Sequence, residues 1–186
     1  MRIISGIYKG RKIPGKVPPN VRPTLDALRE TIFNIIANYT GFDGKVVCDL
    51  CCGTGAMGLE ALSRGAEFVY FVDTFKSALA FVQNVCKTLK VPQNNYKIVL
   101  HRAENFLLTD KIEKKIDLVF ADPPYSANIV NKIISSFASS GKVPANAFLS
   151  CEFGLSNALI LPDSVVLLSE RTYSISKFAL LQKITN

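Results

Sequence analysis

The tetrapeptide Asp122-Pro123-Pro124-Tyr125 directly follows the apolar run Ile116–Ala121 and is the segment best equipped for chemistry. Consecutive prolines fix the backbone, so the Asp122 carboxylate and the Pro123 carbonyl can point at one spot without reorganising. Two acceptors converging on an exocyclic –NH2 hold both its hydrogens and leave the nitrogen lone pair aimed at a methyl donor. Tyr125 offers a flat face for stacking a base. The plainer reading of the same residues is a proline turn that ends a strand.

A second constellation is Asp49-Leu50-Cys51-Cys52-Gly53-Thr54-Gly55-Ala56-Met57-Gly58. Gly53, Gly55 and Gly58 have the GxGxxG spacing of nucleotide-binding strand-to-helix turns, where glycines let the backbone approach a cofactor. Asp73, 20 residues after Gly53, sits at the tip of the next apolar run, where a carboxylate can accept from both ribose hydroxyls. This pattern alone serves NAD(P), FAD and S-adenosylmethionine equally. Asp49 tips the balance, because a carboxylate gains nothing beside a pyrophosphate. It is attracted by the ammonium and sulfonium of S-adenosylmethionine. An NAD(P)-dependent oxidoreductase shares the glycine turn and Asp73 but leaves the double-proline turn unexplained.

Both constellations need strand ends to hold them, and the chain supplies these. Apolar strands are expected at 45–50, 68–72, 96–100 and 116–121, with helices after each near 56–64, 75–90, 104–108 and 128–136. Three more strands at 147–153, 164–172 and 178–183 close the chain. Strands apolar on both faces, joined by helical crossovers, imply a doubly wound, largely parallel α/β sheet of seven strands. Upstream, Leu25, Leu28, Ile32, Ile35, Ile36 and Tyr39 recur at helical spacing behind a Thr24 N-cap, with Gly41 and Gly44 as the stop. The proline-rich stretch 14–23 reads as a linker, and residues 2–13 as a short hairpin or extended arm. The expected division is a basic arm, hairpin and linker over 1–23 and a catalytic domain over 24–186.

The 186 residues carry 22 Lys and Arg against 15 Asp and Glu. Residues 1–30 hold seven of the basic side chains against Asp26 and Glu30 alone, so a near-neutral body carries a basic arm. That asymmetry suggests a polyanionic partner, nucleic acid first. Five cysteines and a single histidine, His101, make a zinc site or a Cys–His nucleophile hard to build, and no metal is expected. The apolar runs are far shorter than the ~20 residues of a membrane helix, and no signal peptide is visible. A soluble, cytoplasmic monomer without a membrane partner is the expectation.

The DPPY tetrapeptide resembles motif IV of amino-methyltransferases acting on exocyclic nitrogens of nucleobases, and the glycine turn resembles their motif I. With the run through Gly65-Ala66, the opening Met1-Arg2-Ile3-Ile4-Ser5-Gly6, Gly10-Arg11-Lys12 and Arg22-Pro23-Thr24, the chain is similar over nearly its whole length to the RsmD family of bacterial 16S rRNA (guanine-N2)-methyltransferases. The resemblance implies a Rossmann-like class I methyltransferase fold and S-adenosylmethionine as cofactor. The implied substrate is a guanine of 16S rRNA, on the assembled small ribosomal subunit. It places Asp49, Gly53 and Gly55 at the methionine part of the cofactor, Asp73 at the ribose and the Ala103 backbone at the adenine. It gives Asp122 and Pro123 the guanine amino group, Tyr125 the base face, and Arg22 and Thr24 a loop over the site. Arg2, Arg11 and Lys12 belong to the substrate-binding arm. Two positions depart from the family: Arg102, where Asp or Asn is usual before Ala103, and Tyr173-Ser174 in place of Tyr-Gly. The alternative is an amino-methyltransferase acting on adenine N6 or cytosine N4 in DNA or another RNA.

With no separate recognition domain, affinity must come from the arm and the shape of the RNA. RNA binding is expected to weaken by about 0.7–0.9 log units per tenfold rise in salt for each phosphate contacted. A salt titration of RNA affinity checks this, and a nearly flat slope removes the arm from the interface.

Overall fold

Val46-Val47-Cys48-Asp49-Leu50 and Phe68-Val69-Tyr70-Phe71-Val72-Asp73 present no polar face, a pattern suited to strands covered on both sides. The computed structural model, which describes residues 1–13, 26–124 and 129–185, places them at the centre of one sheet. Among the described residues its strands are β1 (Val46–Leu50), β2 (Phe68–Asp73), β3 (Tyr96–Leu100), β4 (Leu118–Ala121), β5 (Phe148–Gly154), β6 (Val165–Thr172) and β7 (Ser176–Lys183). Their order is β3-β2-β1-β4-β5-β7-β6. The first five run parallel, and β7 is antiparallel to both β5 and β6. Consecutive parallel strands are linked through helices, as right-handed crossovers require.

Helices α1 (Asp26–Ala37), α2 (Ala56–Ser63) and α3 (Lys76–Leu89) cover one face, where Ile32, Phe33, Leu59 and Val82 pack on Val47, Val69, Phe71 and Phe120. Helices α4 (Ala103–Phe106) and α5 (Ile129–Ser139) cover the other, where Phe106, Ile133 and Phe137 join Cys48, Leu50, Tyr70 and Val119. No helix among the described residues is long and apolar enough to cross a membrane.

The expected elements are all present, with shifted ends. The Thr24 cap falls outside the described residues, and α1 stops at Ala37, before Gly41. Strand β4 begins at Leu118 and not Ile116: Ile116 N–H donates away from the sheet, to the Lys142 carbonyl (2.9 Å), while Asp117 closes on the start of β1, its N–H donating to the Val46 carbonyl and its carboxylate accepting from Val46 N–H (both 2.9 Å).

The arm is a docked element. Residues 1–13 double back as a hairpin with one antiparallel bridge, Arg2 to Lys12, and both Ile3 and Ile13 are buried. Its turn lies on the C-terminal end of α2, where Ile7 N–H donates to the Ser63 carbonyl (2.8 Å). Gly6, at φ 83°, comes so close there that a Cβ would stand 1.7 Å from the Ser63 oxygen, so no other residue fits without moving the backbone. The anchor is Glu60. Its fully buried carboxylate accepts from Ile4 N–H (2.8 Å), Ser5 N–H (3.0 Å) and Arg64 Nε (2.8 Å). It also lies 3.9 Å from the Nε of Arg29, which is buried too and donates to the Arg2 carbonyl and to Asp26.

Removing one partner of a buried ion pair leaves the other uncompensated. Glu60→Ala is expected to cost about 3–5 kcal/mol in urea unfolding. Hydrogen exchange at Ile4 and Ser5 should accelerate at the same time, which separates loss of the anchor from a general loss of packing.

Candidate active site

The two constellations meet at the C-terminal ends of the parallel strands. There the chain order reverses between β1 and β4, the place where open α/β sheets bind ligands. The β1–α2 turn runs through Cys51 (φ 54°), Gly53 (φ 52°) and Gly55 (φ 72°), three left-handed residues in five, and such clusters concentrate at functional sites. Gly58 serves packing: a Cβ there would lie 2.3 Å from Phe71 Cε1, so the third glycine lets α2 sit against β2.

A cavity of about 810 Å3 opens over these strand ends. Its walls include Asp49, Asp73, Asp122 and Glu152, and no Lys or Arg among the described residues. Phe71 on β2, Asp49 on β1, Phe120 on β4 and Ser150 on β5 are register partners from strand to strand. Asp73, Asp122 and Glu152 stand two residues beyond Phe71, Phe120 and Ser150. With the period-2 alternation of strands, all four carboxylates therefore share the sheet face beneath α1. Ala27, Leu28 and Thr31 of α1 form the roof.

Each acid is held differently. Asp49 is 3% exposed, and its Oδ2 accepts from Gly58 N–H (2.9 Å), capping the first turn of α2 while the residue still lines the cavity. Burial pushes its carboxyl well above the usual range; the Gly58 bond opposes this, and the charges of Asp73 and Asp122 add to it. Asp73 accepts from Gly53 N–H and Phe75 N–H, both at 2.9 Å, and so ties the glycine turn to the tip of β2. Asp122 is exposed into the cavity beside a buried Pro123. Glu152 Oε1 accepts from the buried Ser176 hydroxyl at 2.6 Å. Among these acids, burial and then Asp73 and Asp122 push the Cys51 thiol up to about 12, which makes it a poor nucleophile at neutral pH.

Ala103, at the start of α4, also lines the cavity. Arg102 does not: its guanidinium is largely exposed and pairs with Glu104 at 2.9 Å. Tyr125, Arg22 and Thr24 lie outside the described residues. Arg2, Arg11 and Lys12 are exposed on the docked arm and do not line the cavity. The arm starts beside it, with Met1 Sδ 3.6 Å from the Oγ1 of Thr54, a residue of the cavity lining.

Sequence reasoning missed Glu152 and Ser176, and it named Tyr173-Ser174 only as a departure from the family, not as part of the β6–β7 turn Tyr173–Ile175 that closes the cavity on the β5 side. Glu152 had a signal. It is the one charged residue in Phe148–Gly154, just as Asp49 and Asp73 are in their strands. For Tyr173 and Ser174 the family pattern marked the position but not its place, because only the antiparallel return of β7 brings that turn over the site.

A carboxylate-walled cavity without a cation suits a cationic ligand and repels a pyrophosphate. The family model described as Conserved hypothetical protein 95 matches residues 1–182. The ribosomal RNA small subunit methyltransferase D of Haemophilus influenzae is 31% identical over 182 residues, which cover 98% of this chain and 93% of that protein. The putative rRNA methyltransferase YlbH of Bacillus subtilis is 33% identical over 98% of this chain and 99% of its own length. Among solved structures, the putative methyltransferase yhhF from Escherichia coli matches with a TM-score of 0.83 at 28% identity, covering 100% of this chain and 99% of that one. The chain belongs to the Conserved hypothetical protein 95 family, the RsmD family that its motifs resemble.

Proposed function

We propose that this protein transfers a methyl group from S-adenosylmethionine to the exocyclic N2 amino group of a guanine in 16S rRNA, with the assembled small ribosomal subunit as substrate. The observation that carries this reading is the Asp122-Pro123 turn opening into a cavity walled by carboxylates. The family's rRNA methyltransferases supply the substrate class.

The donor set fits the cofactor. Asp49 and the Gly53–Gly55 backbone face its cationic methionine end, the N-terminus of α2 suits its carboxylate, and Asp73 takes the ribose. Ala103 lies at the adenine, with the Arg102 guanidinium turned away to Glu104. When bound, S-adenosylmethionine supplies a methyl on sulfonium sulfur; the C–S bond breaks as the C–N bond forms, leaving a neutral thioether.

The chain's own residues position the acceptor. Asp122 and the Pro123 carbonyl accept the two amino hydrogens and turn the nitrogen lone pair toward the methyl group, with Tyr125 stacking on the base. Positioning of this kind can supply about 7–11 kcal/mol. Asp122 also stabilises the positive charge that grows on nitrogen. The resulting ammonium is acidic and releases its proton without a strong base. The target must leave its stack to enter, and the basic side chains of the arm hold the flanking phosphates. The arm and linker over 1–23 thus serve RNA, and 24–186 the reaction.

The direct test is incubation with labelled S-adenosylmethionine and, in parallel, unmethylated small subunits, naked 16S rRNA and duplex DNA. Label is expected as N2-methylguanosine, strongest on subunits. N6-methyladenine in DNA overturns the reading.

Asp49→Asn is expected to separate binding from stability. The raised pKa of folded Asp49 means that its charge opposes folding. That penalty is absent below about pH 4, the unfolded value, and grows as pH rises through the folded one. Asn keeps an oxygen for Gly58 N–H without the charge. The stability advantage of the variant over the parent should therefore widen from pH 4 to pH 7 in urea titrations. Its affinity for S-adenosylmethionine should fall roughly 10- to 100-fold, the loss of a hydrogen bond to a charged group.

A further inference from the structure

Three of the four carboxylates in the cavity have been given a role in the reading above, and Glu152 is the fourth. It stands one strand over from Asp122. Ala121 and Cys151 are register partners on parallel β4 and β5, so Asp122 and Glu152 are the next aligned pair. Both also line the small space beneath the cavity with Phe120, Ser150 and Phe178. Ser176, 1% exposed, donates its hydroxyl to Glu152 Oε1 at 2.6 Å and fixes the carboxylate at the cavity wall. A carboxylate has roughly four acceptor sites and no donor, so it can accept from a base as well as from Ser176.

What lies beside an amino group differs among the bases. The N2 amino group of guanine has N1–H, a donor, on its Watson–Crick side and N3, an acceptor, on the other. The N6 amino group of adenine is flanked by N1 and the N4 amino group of cytosine by N3, both acceptors. An acceptor-only side chain on the Watson–Crick side of the bound amino group therefore bonds guanine and repels the ring nitrogen of the other two.

We infer that Glu152, oriented by Ser176, is the specificity-determining residue that selects guanine by accepting its N1–H while Asp122 and Pro123 hold N2. The inference rests on the guanine-N2 reading of the site. It gives that reading a physical cause, since Asp122-Pro123-Pro124-Tyr125 by itself serves any exocyclic amine.

The test compares subunits carrying guanosine at the methylated position with subunits carrying 2,6-diaminopurine there. Diaminopurine keeps the 2-amino group but has a bare acceptor at N1. The parent enzyme should prefer guanosine by about 100-fold or more in kcat/KM, as sites built around a substrate N–H do. Glu152→Gln, whose amide can donate to a bare N1, should lose about 100-fold on guanosine and bring the ratio close to one. Binding of S-adenosylhomocysteine should be unchanged, which reports an intact fold. If Glu152→Gln fails to bind it, Ser176→Ala serves instead and should reduce the ratio roughly tenfold.

An equal loss on both substrates, or an unchanged ratio in Ser176→Ala, makes the role structural and overturns the inference while N2-methylguanosine still forms. Methylation of adenine by the parent enzyme overturns the inference and the proposed function together.

Discussion

Four carboxylates on one face of a sheet repel each other, and the fold must hold them without a cation in the cavity wall. Backbone amides do much of this. Asp49 is tied to the first turn of α2 through Gly58 N–H, and Asp73 to the glycine turn and to Phe75 N–H. These bonds join β1, β2 and α2 into one rigid corner. The left-handed residues between them let the chain make that corner in five residues. Burial, with the charges of Asp73 and Asp122 added to it, pushes the Asp49 carboxyl up, and a cation brought against these acids relieves that cost. A site neutralised by lysine or arginine would be more stable and bind the cofactor less well.

The same logic governs the arm. Its basic side chains would be of little use on a free tail, because ordering them at the RNA would cost entropy at the moment of binding. Glu60 removes much of that cost in advance, holding Ile4 and Ser5 to α2, and Arg29 carries the connection into α1. Helix α1 is also the roof of the cavity, through Ala27, Leu28 and Thr31. The basic arm and the roof of the cavity thus share one buried ionic cluster. Such a cluster adds little to stability compared with apolar packing, but it fixes geometry.

Much of this was legible in the sequence, and for identifiable reasons. Strands apolar on both faces cannot be mistaken for exposed ones, so the order of elements and the doubly wound sheet follow from Val46–Leu50, Phe68–Asp73 and their successors. The glycine turn, Asp49, Asp73 and Asp122 announce themselves because each polar or flexible residue interrupts an apolar run at its C-terminal end. What could not be read depends on contacts between distant segments. The docking of Gly6 on Ser63 joins residues 57 apart, and the arrival of Tyr173–Ile175 over the cavity depends on β7 inserting between β5 and β6. Glu152 falls between these cases. Its interruption of an apolar strand was visible, but its place beside Asp122 required the β4–β5 register.

That register bears on how so short a chain can be selective. Recognition in a methyltransferase has two parts, the identity of the base and the identity of its surroundings, and only the second needs an extended surface. Here Asp122 and Glu152 stand at adjacent strand ends, so if Asp122 holds the amino group as proposed, the base can be read within the catalytic sheet. The docked arm is then left with shape and charge, which a folded RNA particle supplies in abundance and a uniform duplex does not. A double-stranded DNA substrate would demand the opposite arrangement, with sequence read in a groove by an added element. The cavity, its acidic wall and the tethered arm are therefore consistent with one another as a device for a single splayed-out guanine on a structured RNA.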